Sequence, residues 1–228
     1  MSSKLNSQEL SEYIDHTLLR PDASQKEIEQ TCAEAKEFRF KGVCVDAKWL
    51  PIVVPLLKGT STLAVTVVGF PSGSVPTAEK AKETETAKNA GAQEIDMVLN
   101  REWLKEKNYS AVFNDIAAVV KAAGAVPVKV ILETSELTRE EKILACGLSK
   151  AAGAKFVKTS TGFSKSGATV EDVALMRSIV GKELGVKASG GVRNLEQALA
   201  MIEAGATRLG TSAGVAIVKG LSSTSGGY

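Results

Sequence analysis

Two lysines stand inside segments that otherwise read as buried strands: Lys158 in Ala154-Lys155-Phe156-Val157-Lys158-Thr159-Ser160, and Lys187 in Gly185-Val186-Lys187-Ala188-Ser189-Gly190. An ammonium is rarely buried without a reason, because losing water penalises its charge. The two segments follow one another in the chain, and each runs into a glycine-containing loop. Their pairing points to an arrangement in which the positive charge of one lysine keeps the other unprotonated, which is the condition for an amine nucleophile.

Strand alternation gathers further polar residues on shared faces. Phe156, Lys158 and Ser160 fall on one face, as do Lys187 with Ser189, and Asp96 with Val98 and Asn100. Lys129 with Glu133, Cys44 with Asp46, and Asp15 with Thr17 form similar pairs. Taken singly, each reads as an ion pair or hydrogen-bonded filler of a polar interior layer. Their convergence at strand ends is what suggests a site. His16 is the sole histidine, so a His-rich metal site within one chain is excluded, and the residue itself reads as a hydrogen-bonded core side chain. Cys32, Cys44 and Cys146 are far apart and include no Cys-x-x-Cys pair, which argues against both a disulfide framework and a thiolate metal site. Cys44 reads as small apolar filler lining the pocket.

The elements that position these residues are repetitive. Ala-Gly-Ala recurs at 90–92, 123–125, 152–154 and 204–206, each time after a polar helix-like stretch and before an apolar run, so the glycine ends a helix and a strand follows. Eight strands are expected: 13–17, 42–46, 63–69, 94–99, 126–133, 154–160, 186–189 and 207–211. Alternating with amphipathic helices such as 77–89 and 195–203, they read as an α/β protein with a (β/α)8 TIM barrel. A doubly wound open sheet is the alternative, because periodicity does not show that the first and last strands meet. One domain is expected over 1–228, with a short N-terminal helix and a flexible tail from about residue 221. In a barrel, function sits at the C-terminal ends of the strands. Gly190-Gly191 after the seventh strand and Gly210-Thr211-Ser212 after the eighth would then offer backbone N–H groups to an anion such as a phosphate. With 24% charged residues and a formal net charge of +2, no nucleic acid partner is implied. No stretch approaches a membrane span and no apolar run follows the N-terminal lysine, so a cytoplasmic protein is expected.

Four motifs carry a resemblance that runs in order over nearly the whole chain: Ile14-Asp15-His16-Thr17-Leu18-Leu19, Glu94-Ile95-Asp96-Met97-Val98-Leu99-Asn100, Val157-Lys158-Thr159-Ser160-Thr161-Gly162-Phe163 and Val186-Lys187-Ala188-Ser189-Gly190-Gly191-Val192-Arg193. They resemble the signatures of the 2-deoxy-D-ribose 5-phosphate aldolases, which are class I aldolases. The resemblance implies reversible cleavage of 2-deoxyribose 5-phosphate to acetaldehyde and glyceraldehyde 3-phosphate, without a metal or organic cofactor. It gives Lys158 the Schiff base, and gives Lys187 and Asp96 the handling of protons. It also implies that the terminal Tyr228 enters the site to assist proton transfer at C2. Asp15, Thr17, Cys44, Thr159 and Gly162 are carried over as substrate-binding residues beside Gly190, Gly191, Gly210, Thr211 and Ser212. Some members carry a lysine where Phe163 stands here, so phosphate binding cannot rest on charge at that position. A homodimer is usual among such relatives. Two other readings remain open at this point: a barrel phosphosugar isomerase or metal-dependent aldolase, and a non-catalytic phosphate-binding protein.

Overall fold

A computed structural model describes residues 5–220. The expected tail, including Tyr228, lies outside the described residues. The apolar runs form strands Ile14–Leu18 (β1), Gly42–Val45 (β2), Leu63–Val68 (β3), Glu94–Val98 (β4), Val128–Ile131 (β5), Phe156–Lys158 (β6), Gly185–Ser189 (β7) and Arg208–Thr211 (β8). Each pairs in parallel with the next, and β1 also pairs with β8, so the ring closes into a (β/α)8 barrel. Closure removes the open-sheet alternative. A short helix Ser7–Ser11 (α1) precedes the barrel. Gln25–Glu37 (α2), Leu50–Leu57 (α3), Thr77–Asn89 (α4), Arg101–Lys105 (α5), Tyr109–Ala123 (α6), Arg139–Ala151 (α7), Val170–Val180 (α8), Leu195–Glu203 (α9) and Gly214–Val218 (α10) surround it.

Helix starts follow their capping chemistry. Ser24 with Glu27 opens α2, and Thr138 with Glu141 opens α7, each as a reciprocal capping box. Asn194 caps α9. Several strands are shorter than their apolar pattern. The fifth was expected over 126–133, yet Pro127 has no N–H to give to a ladder, and Glu133 leaves extended backbone at φ 59°. The sixth was expected over 154–160. Regular pairing stops at Lys158, although the Thr159 N–H still donates to Lys187 O at 3.0 Å.

The two faces of the barrel wall bury different chemistry. Outward residues such as Val43, Val45, Ile95, Met97, Val130, Val157, Val186 and Leu209 pack with the helices into the main apolar core. Inward, Leu19, Cys44, Val65 and Val67 form a separate small apolar cluster against Phe70. Elsewhere the interior carries the buried charged side chains Asp15, Glu94, Asp96, Lys129, Lys158, Lys187 and Arg208, with the Phe156 ring beneath Lys129 and Arg208. Space for long side chains there comes from glycines: a Cβ on Gly185 would sit 2.1 Å from the Phe156 ring, and one on Gly210 would sit 3.0 Å from Lys187 Cε and 2.9 Å from Ser189 Cβ.

Candidate active site

Alternation fixes which strand residues face the interior, and the parallel register fixes who stands beside whom. Lys158 lies level with Lys187, and Lys187 with Arg208. Asp96 lies level with Lys129. The result is a buried ion network contributed by six strands. Lys158 Nζ donates to Asp96 Oδ2 at 2.9 Å. Lys187 Nζ donates to that same oxygen at 2.8 Å and also to Asp15. Lys129 Nζ donates to Asp96 Oδ1 at 2.7 Å and lies 2.7 Å from Glu94. Arg208 bonds Asp15 at 2.8 Å and Glu94 at 2.7 and 3.1 Å. Its guanidinium lies 5.2 Å and the Lys129 ammonium 5.8 Å from the centre of the Phe156 ring, one layer nearer the N-terminal end of the strands.

Charge arithmetic singles out Lys158. Lys129, Lys187 and Arg208 bring three positive charges, and Asp15, Glu94 and Asp96 bring three negative ones, all in mutual ion pairs. Lys158 is the remaining member, so the buried network is neutral when its amine is neutral. Burial is the largest influence on Lys158 and pushes it below the ordinary lysine range. Asp96 opposes that shift and Lys187 reinforces it. The two-lysine expectation therefore holds in direction, but desolvation leads and the neighbouring charge follows. Burial would also lower Lys187, yet Asp15 and Asp96 outweigh it and hold that ammonium above its ordinary range. Burial would raise Asp96, but Lys129, Lys158 and Lys187 keep it well below the usual carboxylate range. The site thus holds a destabilised ammonium, a secured ammonium and a secured carboxylate on shared atoms, the combination that amine nucleophile chemistry with proton transfer needs.

The other expected residues divide. Asp15 is fully buried and its oxygens are taken by Lys187 and Arg208, so it acts on the network rather than presenting itself to a ligand. Thr17 turns its hydroxyl to the Asp15 carbonyl at 2.8 Å. Cys44 lies on the apolar inner wall, and burial raises its thiol. Thr159 is a correction. Its hydroxyl sits between the N–H and carbonyl of Ser189, 3.0 Å from each, stitching β6 to β7 on the face away from Lys158. Lys129 pairs with Glu94 and Asp96, and Asp46 caps the turn after β2 through Lys48 N–H. His16 is a buried core residue, with Nε2 2.7 Å from Glu34 and its ring against Phe40. Ser160, on the Lys158 face, keeps a buried hydroxyl without a hydrogen-bond partner among the described residues.

Above the network a cleft opens between the loops after β6, β7 and β8. It is lined by Gly162, Gly190, Gly191, Thr211 and Ser212, as expected, and also by Ser164, Lys165 and Arg193, which sequence reasoning missed. Gly210 does not line it; the open side of that residue faces Lys187 and Ser189 below. Thr211 directs its hydroxyl to Val192 O at 2.6 Å and so braces the β7 loop. Exposed Lys165 and Arg193 give the cleft positive charge beside glycine backbone, a setting for an anion.

A sequence model of the family described as DeoC/LacD family aldolase matches residues 11–220. The chain belongs to that family. It is similar to curated proteins named deoxyribose-phosphate aldolase. The one from Brevibacillus brevis is 56% identical over 219 residues, covering 96% of this chain and 99% of the relative. The one from Staphylococcus epidermidis is 58% identical over 210 residues, covering 92% and 96%. Among solved structures, a deoxyribose phosphate aldolase from Aeropyrum pernix, described as tetrameric, superposes with a TM-score of 0.87 at 31% identity, covering 94% of this chain and 91% of that one. Family membership makes this barrel an aldolase and a lyase, and the buried lysine network is where its chemistry has to be sought.

Proposed function

We propose that this chain is a class I aldolase that reversibly cleaves 2-deoxy-D-ribose 5-phosphate to acetaldehyde and D-glyceraldehyde 3-phosphate through a Schiff base on Lys158. The observation that carries the reading is the meeting of Lys158 and Lys187 on one oxygen of Asp96 in a fully buried setting. The neutral Lys158 amine attacks the C1 aldehyde of the open-chain sugar. The carbinolamine loses water, with Lys187 as the neighbouring proton source, and leaves an iminium. Asp96, through a water, accepts the C3 hydroxyl proton while the C2–C3 bond breaks and its electron pair moves into the iminium to give an enamine. Protonation at C2 and hydrolysis then release acetaldehyde and restore the amine. Tyr228 is proposed to assist the C2 step. The phosphate lies in the cleft among Gly190, Gly191, Ser212, Lys165 and Arg193. No metal enters this route, and the three interior carboxylates are each taken by lysine or arginine.

Borohydride reduction in the presence of acetaldehyde, followed by peptide mass analysis, tests the reading. The expected result is one covalent adduct, on Lys158. Modification at Lys187 or Lys129 would move the nucleophile off Lys158, and turnover without any adduct would sink the Schiff-base route. We also propose a cytoplasmic homodimer. Three free buried cysteines suit a reducing compartment, and among the described residues no helix is long and apolar enough to cross a membrane. Light scattering of the purified protein measures the assembly.

A further inference from the structure

Glu133 is buried, non-glycine and left-handed, with φ 59° and ψ 62°. That backbone region is unfavourable for a side chain of this kind and persists where the surroundings demand it. Its carboxylate has no cation within ion-pair distance among the described residues. It is instead satisfied by the loop after β6: the Thr161 N–H at 3.2 Å, the Thr161 hydroxyl, and the Ser164 hydroxyl at 2.8 Å all donate to it. Thr161 Oγ in turn accepts the Phe163 N–H at 3.1 Å, and the Phe163 ring meets Phe70 edge-on at 5.4 Å. On either side of Glu133 the backbone is tied to the strand that bears the nucleophile. Leu132 N–H donates to Lys158 O and Thr134 N–H to Thr159 O, both at 2.9 Å.

We infer that Glu133 is a positioning residue that sets the distance between the Lys158 amine and the anion cleft. Its backbone belongs to the Lys158 side, its carboxylate holds the loop that supplies Gly162, Ser164 and Lys165 to the cleft, and its unusual dihedrals direct the side chain from one to the other. The inference rests on the aldolase reading, in which a single substrate spans both places. A substrate that fills only the lysine end has no need of this spacing, whereas one that also carries a phosphate does.

Glu133→Gly is the informative variant, because glycine accepts the left-handed backbone without strain while deleting the carboxylate. Glu133→Gln is its control: the amide oxygen accepts from Thr161 and the amide nitrogen donates to Ser164 Oγ, whose own hydrogen turns to Ser166 O. The expected result for the glycine variant is a rise of about tenfold or more in KM for deoxyribose 5-phosphate with a smaller change in kcat. KM for unphosphorylated deoxyribose and trapping of acetaldehyde on Lys158 should stay near parental, and backbone hydrogen exchange in 161–166 should accelerate. The glutamine variant should return KM to within about threefold of the parent. Parental exchange in 161–166 of the glycine variant, or an equal KM rise for both sugars, overturns the inference. Absence of a trapped adduct in the parent protein would instead sink the aldolase reading, and the exchange measurement would still decide whether Glu133 holds the loop.

Discussion

Lys158 and Lys187 donate to one and the same oxygen of Asp96, at 2.9 and 2.8 Å. Two ammonium groups on a single atom repel, and among the described residues only Lys187 of the two has a second carboxylate, Asp15, to hold its proton. The proton that leaves most easily is therefore that of Lys158.

Lys187→Leu removes the competing cation and leaves Asp96 more strongly directed at Lys158. Both changes favour the Lys158 ammonium, so its pKa rises toward the ordinary lysine value. Activity needs the free amine, so the ascending limb of the pH–rate profile should move to higher pH, with a lower maximum. An ascending limb at the parental pH would remove Lys187 from this role.

Asp96→Asn should separate the two halves of the reaction. The free amine still forms an adduct, so borohydride trapping with acetaldehyde persists, while sugar cleavage falls by about 10² to 10⁴, the usual contribution of a positioned base. Single-turnover trapping measured alongside steady-state cleavage checks this, and equal loss of both would assign Asp96 a purely structural part.

Acid should unfold the protein through its interior. Asp15 and Asp96 both have folded pKa values depressed by the surrounding cations. Their stabilisation is fully present above the ordinary carboxylate value of about 4 and is lost as pH falls toward the folded values, because the unfolded chain then binds more protons. Urea midpoints should decline steeply below about pH 4. Asp15→Asn should be less stable at pH 7 but show a flatter acid limb; an unchanged slope would count against the network as its cause.

Outside the barrel, Lys80 and Asp115 form a second buried pair, 2.6 Å apart between α4 and α6, with Lys80 also donating to Val98 O at 3.0 Å. Asp115→Ala strands that ammonium and should destabilise by about 3–5 kcal/mol in chemical unfolding. The Lys158 adduct should still form in the variant that remains folded at low temperature.

In the cleft, Ser212→Asp places a like charge beside the proposed phosphate. KM for deoxyribose 5-phosphate should rise steeply and KM for deoxyribose little. Lys165→Ala should act in the same direction more weakly, since an exposed cation is screened. Equal effects of Ser212→Asp on both sugars would move the phosphate elsewhere.

The barrel and its buried lysine network were legible because a charge inside an apolar strand conflicts with burial and so demands an explanation. Alternation then placed Asp96 and Lys187 on inward faces correctly. Alternation stops applying at Glu133, where left-handed backbone follows the end of β5, and Lys129 bonds Glu94 and Asp96. Thr159 came in with the motif of Lys158, yet consecutive strand residues face opposite sides, and its hydroxyl bonds Ser189 instead. Gly210 was grouped with the turn glycines because a sequence does not say which way a missing side chain would have pointed. Lys165 and Arg193 sit in loops without periodicity, and only the closing of three loops around one cleft brings them together. Lys165 and Arg193, each a few residues beyond a motif glycine, were the available signal.

Ring closure also determines when reactivity begins. Asp15 lies 172 residues from Lys187 and 193 from Arg208, and β1 completes the interior by meeting β8, the last strand of the barrel in chain order. Until β8 arrives, the channel is open to water, Lys187 lacks the carboxylate that secures its proton, and Lys158 is an ordinary solvated lysine. If Lys158 acts as proposed, a partly made chain carries no activated amine to condense with aldehydes. The burial that lowers Lys158 comes into existence together with the finished fold, so on the proposed mechanism correct folding and reactivity arrive as one event.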